Sequence, residues 1–417
     1  MAQALGVILF ALGIFVSVCL HEAGHMWTAK RFGMKVTRYF AGFGPTLFSF
    51  RRGETEYGLK AIPLGGFVKI VGMTPQEEEE EELSEEDKKR VMWRKPVWQR
   101  TIVLSAGSAV HFILAFVIMW IAAMFVGLPN PAFAKALDDV AKHPRINVAK
   151  CVVVANEQRD CNPGTDPASP AKNAGLRDGD TITKVNGTAV TTYLDLVKAI
   201  RATPPGPATL TVTTDGAEHT VTVDLISAQR TSLTEKGKTE TVSALGVGGY
   251  LDPGVPTTMT YGPVDGIGAA GSFYMDTLGN TFTALKKFPE KLPKLWDAVT
   301  GSERDPETPI SVVGASRIGG ELADRGLWSV FLWLLASLNI FVGIFNLLPL
   351  LPLDGGHIAV AWFERARSWF AARRGRPDPG RVDYAKLMPV TYVVIIVFGA
   401  FTLLTVGADI FNPITLK

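Results

Sequence analysis

Four apolar blocks constrain this chain more than any other feature of its sequence. They cover residues 4 to about 28, 101–126, 327–348 and 389 to about 406. Each approaches or exceeds the roughly 20 apolar residues that a helix needs to cross a hydrocarbon core. Lipid cannot hydrogen-bond a peptide group, so a spanning segment must satisfy its own backbone, and a helix does so. The expected fold is therefore a polytopic α-helical membrane protein with four transmembrane helices. The first block has no basic leader and no small-residue cleavage site, so it is read as a retained span.

Arginine and lysine placement orients these spans, because short loops rich in them stay in the cytoplasm. Lys30, Arg31, Lys35, Arg38, Arg51 and Arg52 follow the first span, and Lys88, Lys89, Arg90, Arg94 and Lys95 precede the second. Six arginines, from Arg365 to Arg381, lie between the third and fourth. Both termini and the long segment 128–325 are then expected outside. The net charge of +2 says little about partners; the lipid bilayer is one, and no nucleic acid is expected.

Between the spans the patterning changes. Residues 46–50 and 55–62 alternate as strands around a turn at 51–54, and 63–72 reads as a loop. Phe40, Phe43, Leu47, Phe48 and Phe50 make this hairpin apolar enough to dip into the membrane interface. The acidic run 77–82 reads as a solvated stretch without fixed structure. In the external segment, strands are expected at 151–155, 181–185, 209–213 and 220–224, with a turn at Asn186-Gly187 and a helix over 192–201. Further on, 273–296 reads as interfacial helix interrupted by Pro289 and Pro293. Cys151 and Cys161 share the oxidising side; a disulfide is the favoured reading and two free thiols the alternative.

The chemistry lies at the end of the first block. His21-Glu22-Ala23-Gly24-His25 places two imidazoles four residues apart on one helix face, where they can chelate zinc, with a carboxylate between them to act as base toward water. Ionisable groups on a spanning helix are costly and are usually functional. Two imidazoles leave a tetrahedral metal one protein ligand short, and Asp354 in Leu353-Asp354-Gly355-Gly356 is the candidate. The first and third spans run in the same direction, so Asp354 lies at the same depth as the histidines. A bare helix-terminating turn is the alternative for Asp354.

These residues resemble the site-2 proteases, in the bacterial branch that carries a PDZ domain and cleaves anti-sigma factors. The resemblance covers nearly the whole chain: HEAGH at 21–25, GFGP at 42–45, IPLGGFVKI at 62–70, SPAKNAGLRDGDTITKVNG at 169–187 and NLLPLLPLDGG at 346–356. It implies that His21, His25 and Asp354 bind Zn2+, that Glu22 is the general base, and that Asn346 helps hold substrate backbone. It departs at Ser108 and His111, where the family usually has Pro and Asn. His111 either reaches the active site or only packs in the span.

The implied organisation is a first span with HExxH (1–30), a cytoplasmic membrane-associated β-hairpin with the acidic loop (31–100) and a second span (101–127). An extracytoplasmic PDZ-like β-rich domain (128–252) and an amphipathic helical region (253–326) come next, then a third span with LDGG (327–360), a basic cytoplasmic loop (361–388) and a fourth span (389–410). The implied function is a zinc metalloendopeptidase of the bacterial cell membrane, with its active site towards the cytoplasm. It would cut single-pass membrane proteins, such as anti-sigma factors and signal-peptide remnants, after a first external cut. Because a helix shields its peptide bonds, the substrate must be unwound, and Gly65, Gly66 and Phe67 beside the hairpin are candidates for holding it as an added strand. A membrane scaffold would need neither HExxH nor a matching Asp, and a transporter would show related halves, which are not seen.

Overall fold

In the computed structural model, residues 1–73, 83–157, 159–235, 237–300, 304–305 and 308–415 are described, and the acidic run at 77–82 falls outside them. The chain divides into two compact units, one of Met1–Leu128 with Thr260–Leu416 and one of Pro129–Met259.

The first unit begins with α1 (Ala2–Arg31), whose last turn carries Lys30 and Arg31, a favourable charge for a helix C-terminus. Two long strands follow, β1 (Val36–Arg52) and β2 (Thr55–Ile70), and then α2 (Val97–Phe125). The hairpin is longer than the sequence reading. Its turn falls at residues 53–54, but β1 starts at Val36 and β2 runs through 63–70, where the sequence predicts a loop. The reason is in the register. Residues 36–41 face 66–70 in antiparallel order, from Val36–Ile70 to Ala41–Gly66, while Arg38–Ala41 also face Glu56–Leu59. The first half of β1 is thus paired on both sides, and the Gly66–Ile70 stretch forms a sheet edge.

The second unit holds α3 (Pro131–Lys142), β3 (Ile146–Val148), β4 (Thr181–Val185), β5 (Thr188–Ala189), α4 (Tyr193–Ala202), β6 (Gly206–Thr214), β7 (Ala217–Thr231), β8 (Thr239–Ala244) and β9 (Val247–Gly249). Five strands form one sheet in the order β5-β4-β6-β7-β8, and β3 pairs with β9. Ile182, Leu196, Leu210, Val212, Val223 and Leu225 close its core. Asn186 and Gly187 both take positive φ, 49° and 81°, so the expected turn is the tight link between β4 and β5. A reciprocal capping box between Thr192 and Asp195 starts α4. The expected strand 151–155 is not formed: Cys151 makes one isolated bridge to Ala168. The apolar run misleads because this stretch is held by single bonds and by a disulfide between Cys151 and Cys161.

The chain then completes the first unit with α5 (Asp265–Val299), α6 (Val312–Asp324), α7 (Trp328–Asn346), α8 (Asp354–Arg373) and α9 (Met388–Phe411). Among the described residues four helices, α1, α2, α7 and α9, are long and apolar enough to span a membrane. Pro289 and Pro293 do not interrupt α5. They sit in its second half, while Phe273, Tyr274, Leu278 and Leu285 pack against the α2–α7 core and hold the helix. α6 packs on α1, where Phe10 is fully buried against Gly319. The third span ends at Asn346, and residues expected as its tail and the start of a basic loop form α8 instead.

Candidate metal centre

His21 and His25 are one helical turn apart on the buried face of α1, with ring centroids 4.6 Å apart. Their Nε2 atoms approach to 3.0 Å. Oδ2 of Asp354 lies 3.4 Å from Nε2 of His21 and 3.3 Å from Nε2 of His25. Zinc at about 2.0–2.2 Å from tetrahedral N and O ligands holds those ligand atoms about 3.3–3.6 Å apart. The three donors therefore match a zinc site to within a few tenths of an ångström. Among the described residues they are the one cluster of three His, Cys, Asp or Glu groups that could hold a metal ion.

The surroundings fix the donors. Nδ1–H of His25 donates to the carbonyl of Val103 in α2 at 2.7 Å, which leaves Nε2 as the lone-pair donor. Nδ1 of His21 is buried without a partner. Gly107 of α2 faces both imidazoles: an added Cβ would stand 2.5 Å from Cε1 of His21 and Nε2 of His25. Gly24 lets α1 approach α2, since a Cβ there would meet the carbonyl of Ala106 at 2.9 Å. Asp354 is the first residue of α8, and the two glycines behind it bring that helix against the backbone of 347–351.

Glu22 reaches from the same turn of α1 to the sheet. Its Oε2 accepts the backbone N–H of Val68 at 3.0 Å. In an antiparallel ladder the groups of alternate residues point to opposite sides. The Val68 N–H that reaches Glu22 is thus on the outer side of the edge, and Gly66, two residues away, faces the same way. A Cβ on Gly66 would lie 3.5 Å from Cγ of Glu22. Phe67 stacks on Phe40 with ring centroids 5.6 Å apart, and Gly65 takes φ 140° against the Phe43 ring. Asn346 is half-buried at the end of α7.

His111 does reach the cluster. Its ring centroid is 5.0 Å from that of His21, and its Nδ1 lies 2.8 Å from Oδ1 of Asn339 on α7. Both are buried. Sequence reasoning passed over Asn339, although a polar residue inside an apolar span is the available signal. Ser108 Oγ is buried without a partner, and His357 faces Tyr384 with ring centroids 5.8 Å apart. His143 and His219 are exposed.

Comparison of whole sequences finds similar proteins. Zinc metalloprotease Rip1 of Mycobacterium bovis is 44% identical over 419 residues, 99% of this chain and 98% of that protein. The protein of the same name from Mycolicibacterium smegmatis is 43% identical over 423 residues and covers both chains in full. Residues 9–388 match the family described as peptidase family M50. With its motifs, its metal-binding geometry and this match in agreement, the chain belongs to peptidase family M50.

Proposed function

We propose that this membrane zinc protease is a site-2 type endopeptidase in which His21, His25 and Asp354 hold the metal and Glu22 is the general base. The observation that carries the reading is the convergence of three donors, 3.0–3.4 Å apart, beside a glutamate tied to a sheet edge. Bound zinc supplies Lewis acidity, polarising the scissile carbonyl and making water acidic enough to lose a proton near neutral pH. Glu22 takes that proton and delivers it to the departing amide nitrogen. His25 keeps its donor tautomer through Val103, and Gly107 keeps the donors uncrowded. Gly66 presents its outward N–H and carbonyl, and Val68 its outward carbonyl, to an unwound substrate, which adds to the sheet as a further strand. Phe67 and Gly65 set the shape of that edge, and Asn346 steadies the substrate backbone from the other side.

Substrates in this reading are single-pass membrane proteins, anti-sigma factors among them, that have lost their bulky external domains. The β-rich unit acts as a PDZ-like filter outside the membrane. Its support is a cavity of about 650 Å³ between α4 and residues 243–248, of the size that takes an extended peptide. In this reading the metal end of the spans faces the cytoplasm, supported by the arginine-rich loops.

The test is a paired measurement on full-length protein in lipid. Glu22→Gln keeps about one zinc per chain and loses cleavage by at least about a hundredfold, because base catalysis typically contributes that much. Asp354→Ala loses the metal itself. Appreciable turnover by the first variant, or full zinc in the second, would overturn the assignment.

A further inference from the structure

α8 leads away from the metal cluster and lies in the 41-residue connection, 347–387, between the spanning helices α7 and α9. It is about 30 Å long at 1.5 Å per residue. Its inner face carries Ala361 and Glu364, both buried, and Glu364 binds Arg100 of α2 at 3.2 Å and Arg381 at 3.1 Å. Its outer face is open and carries aromatic rings, with Arg367 stacked on Phe363 and Arg373 on Trp369. Trp362, Phe363, Trp369 and Phe370 are 44–58% exposed and repeat at helical spacing. Trp362 is anchored, donating through Nε1 to Oγ1 of Thr101 at the start of the second span. Aromatic rings and stacked arginines on a helix tied to the end of a spanning helix belong at the lipid interface.

Beside that face the chain turns back after Arg373 and closes a cavity of about 640 Å³. Phe363, Phe370, Pro377, Arg367, Arg374 and Arg376 line it, and no acidic residue does. The acids nearby are engaged elsewhere. Glu364 holds Arg100 and Arg381, and Asp378 accepts from Ser368 and the Gly380 N–H. Neither Arg374 nor Arg376 has an ion-pair partner among the described residues, and Arg367, which donates through Nη2 to the Gly380 carbonyl at 2.8 Å, adds a third positive charge over the Phe363 ring. Three cations around an apolar floor, two of them without an ion-pair partner, make a receptor for an anion that carries hydrocarbon.

We propose that this cavity is a seat for an anionic phospholipid of the leaflet on which α8 lies. The phosphate sits among Arg367, Arg374 and Arg376, and the acyl chain runs over Phe363 and Phe370 into the bilayer. A free phosphate would leave the rings uncovered, and a zwitterionic lipid would bring its own choline cation against the guanidiniums. Because Asp354 begins the same helix, the lipid also steadies the element that carries the third metal donor. The seat rests on the membrane placement of the chain and not on its peptidase chemistry, so its test needs no cleavage.

The full-length protein in neutral detergent is titrated with dioleoylphosphatidylglycerol or dioleoylphosphatidylcholine, and retained lipid is counted by native mass spectrometry. The glycerol lipid is expected to be retained in preference to the choline lipid. The double variant R374Q/R376Q should weaken this binding roughly tenfold or more, as expected for two basic residues near a lipid phosphate. The double variant R365Q/R373Q removes the same charge from α8 outside the cavity and should stay within about twofold. Equal retention of the two lipids would overturn the proposal. So would equal losses in both double variants, which would mean diffuse attraction without a seat. Displacement of the lipid by an equal concentration of glycerol 3-phosphate would show a soluble phosphate site and overturn it as well.

Discussion

The metal-bearing end of the helical unit and the β-rich unit hold their shapes by opposite means. Around His21 and His25 the helices meet through missing side chains: Gly24 against Ala106, Gly107 against both imidazoles, Gly355 and Gly356 against 347–351. In lipid no water drives apolar surfaces together, so close backbone approach and a few polar bonds do the holding. The β-rich unit is held by area. Leu210, Val212 and Ile182 are fully buried in one apolar core, where each large side chain adds about 1.5–3 kcal/mol. The first region tolerates almost no added volume, and the second almost no lost volume.

The largest effect should therefore come from shortening a side chain in the β-rich unit. Leu210→Ala is expected to destabilise that unit by about 2–5 kcal/mol, read by thermal or denaturant unfolding. Zinc stoichiometry should not change, and a parallel loss of metal would break the distinction between the regions. A single added methyl should do the reverse. Gly107→Ala drives a Cβ into both imidazoles, with a loss of zinc affinity and cleavage of roughly a hundredfold, as for disturbed ligand support. Normal zinc content in a folded Gly107→Ala protein would show that α1 and α2 can separate at no cost.

A smaller effect, about tenfold on cleavage with zinc retained, is expected of Val68→Pro. Proline removes the outward N–H that reaches Glu22 without touching the donors. It sharpens the comparison by asking whether the sheet belongs with the rigid site or only shields it. Unchanged cleavage would remove the hairpin from the reaction.

The two regions also differed in how far the sequence exposed them. The spans and HExxH were readable because lipid imposes composition and helical spacing imposes the chelate. What stayed hidden is which residue of one span faces which residue of another. Nearly every position in α2 is apolar or small, so periodicity carries no rotational signal, and neither the Val103 carbonyl nor the Gly107 cradle could be anticipated. His111 and Asn339 are polar and could have been paired, but only given the helix rotation. In the hairpin, Gly42, Gly44, Gly65 and Gly66 broke the strand pattern, although pairing on both sides of 36–41 keeps the ladder intact. In α5 the prolines were overruled by packing. Asn186-Gly187 and the capping residues of α4 were legible because such signals act over a few residues.

The bond between Val68 and Glu22 turns the sheet into a ruler. A strand laid along Gly66 and Val68 meets outward groups only at every second residue, about 6.6–6.8 Å apart. Sliding it by one residue would turn every side chain to the opposite face, whereas sliding it by two restores both the bonding and the faces. Alternative cut sites in one substrate would then be two residues apart, and the spacing of the product ends would record the sheet that aligned them.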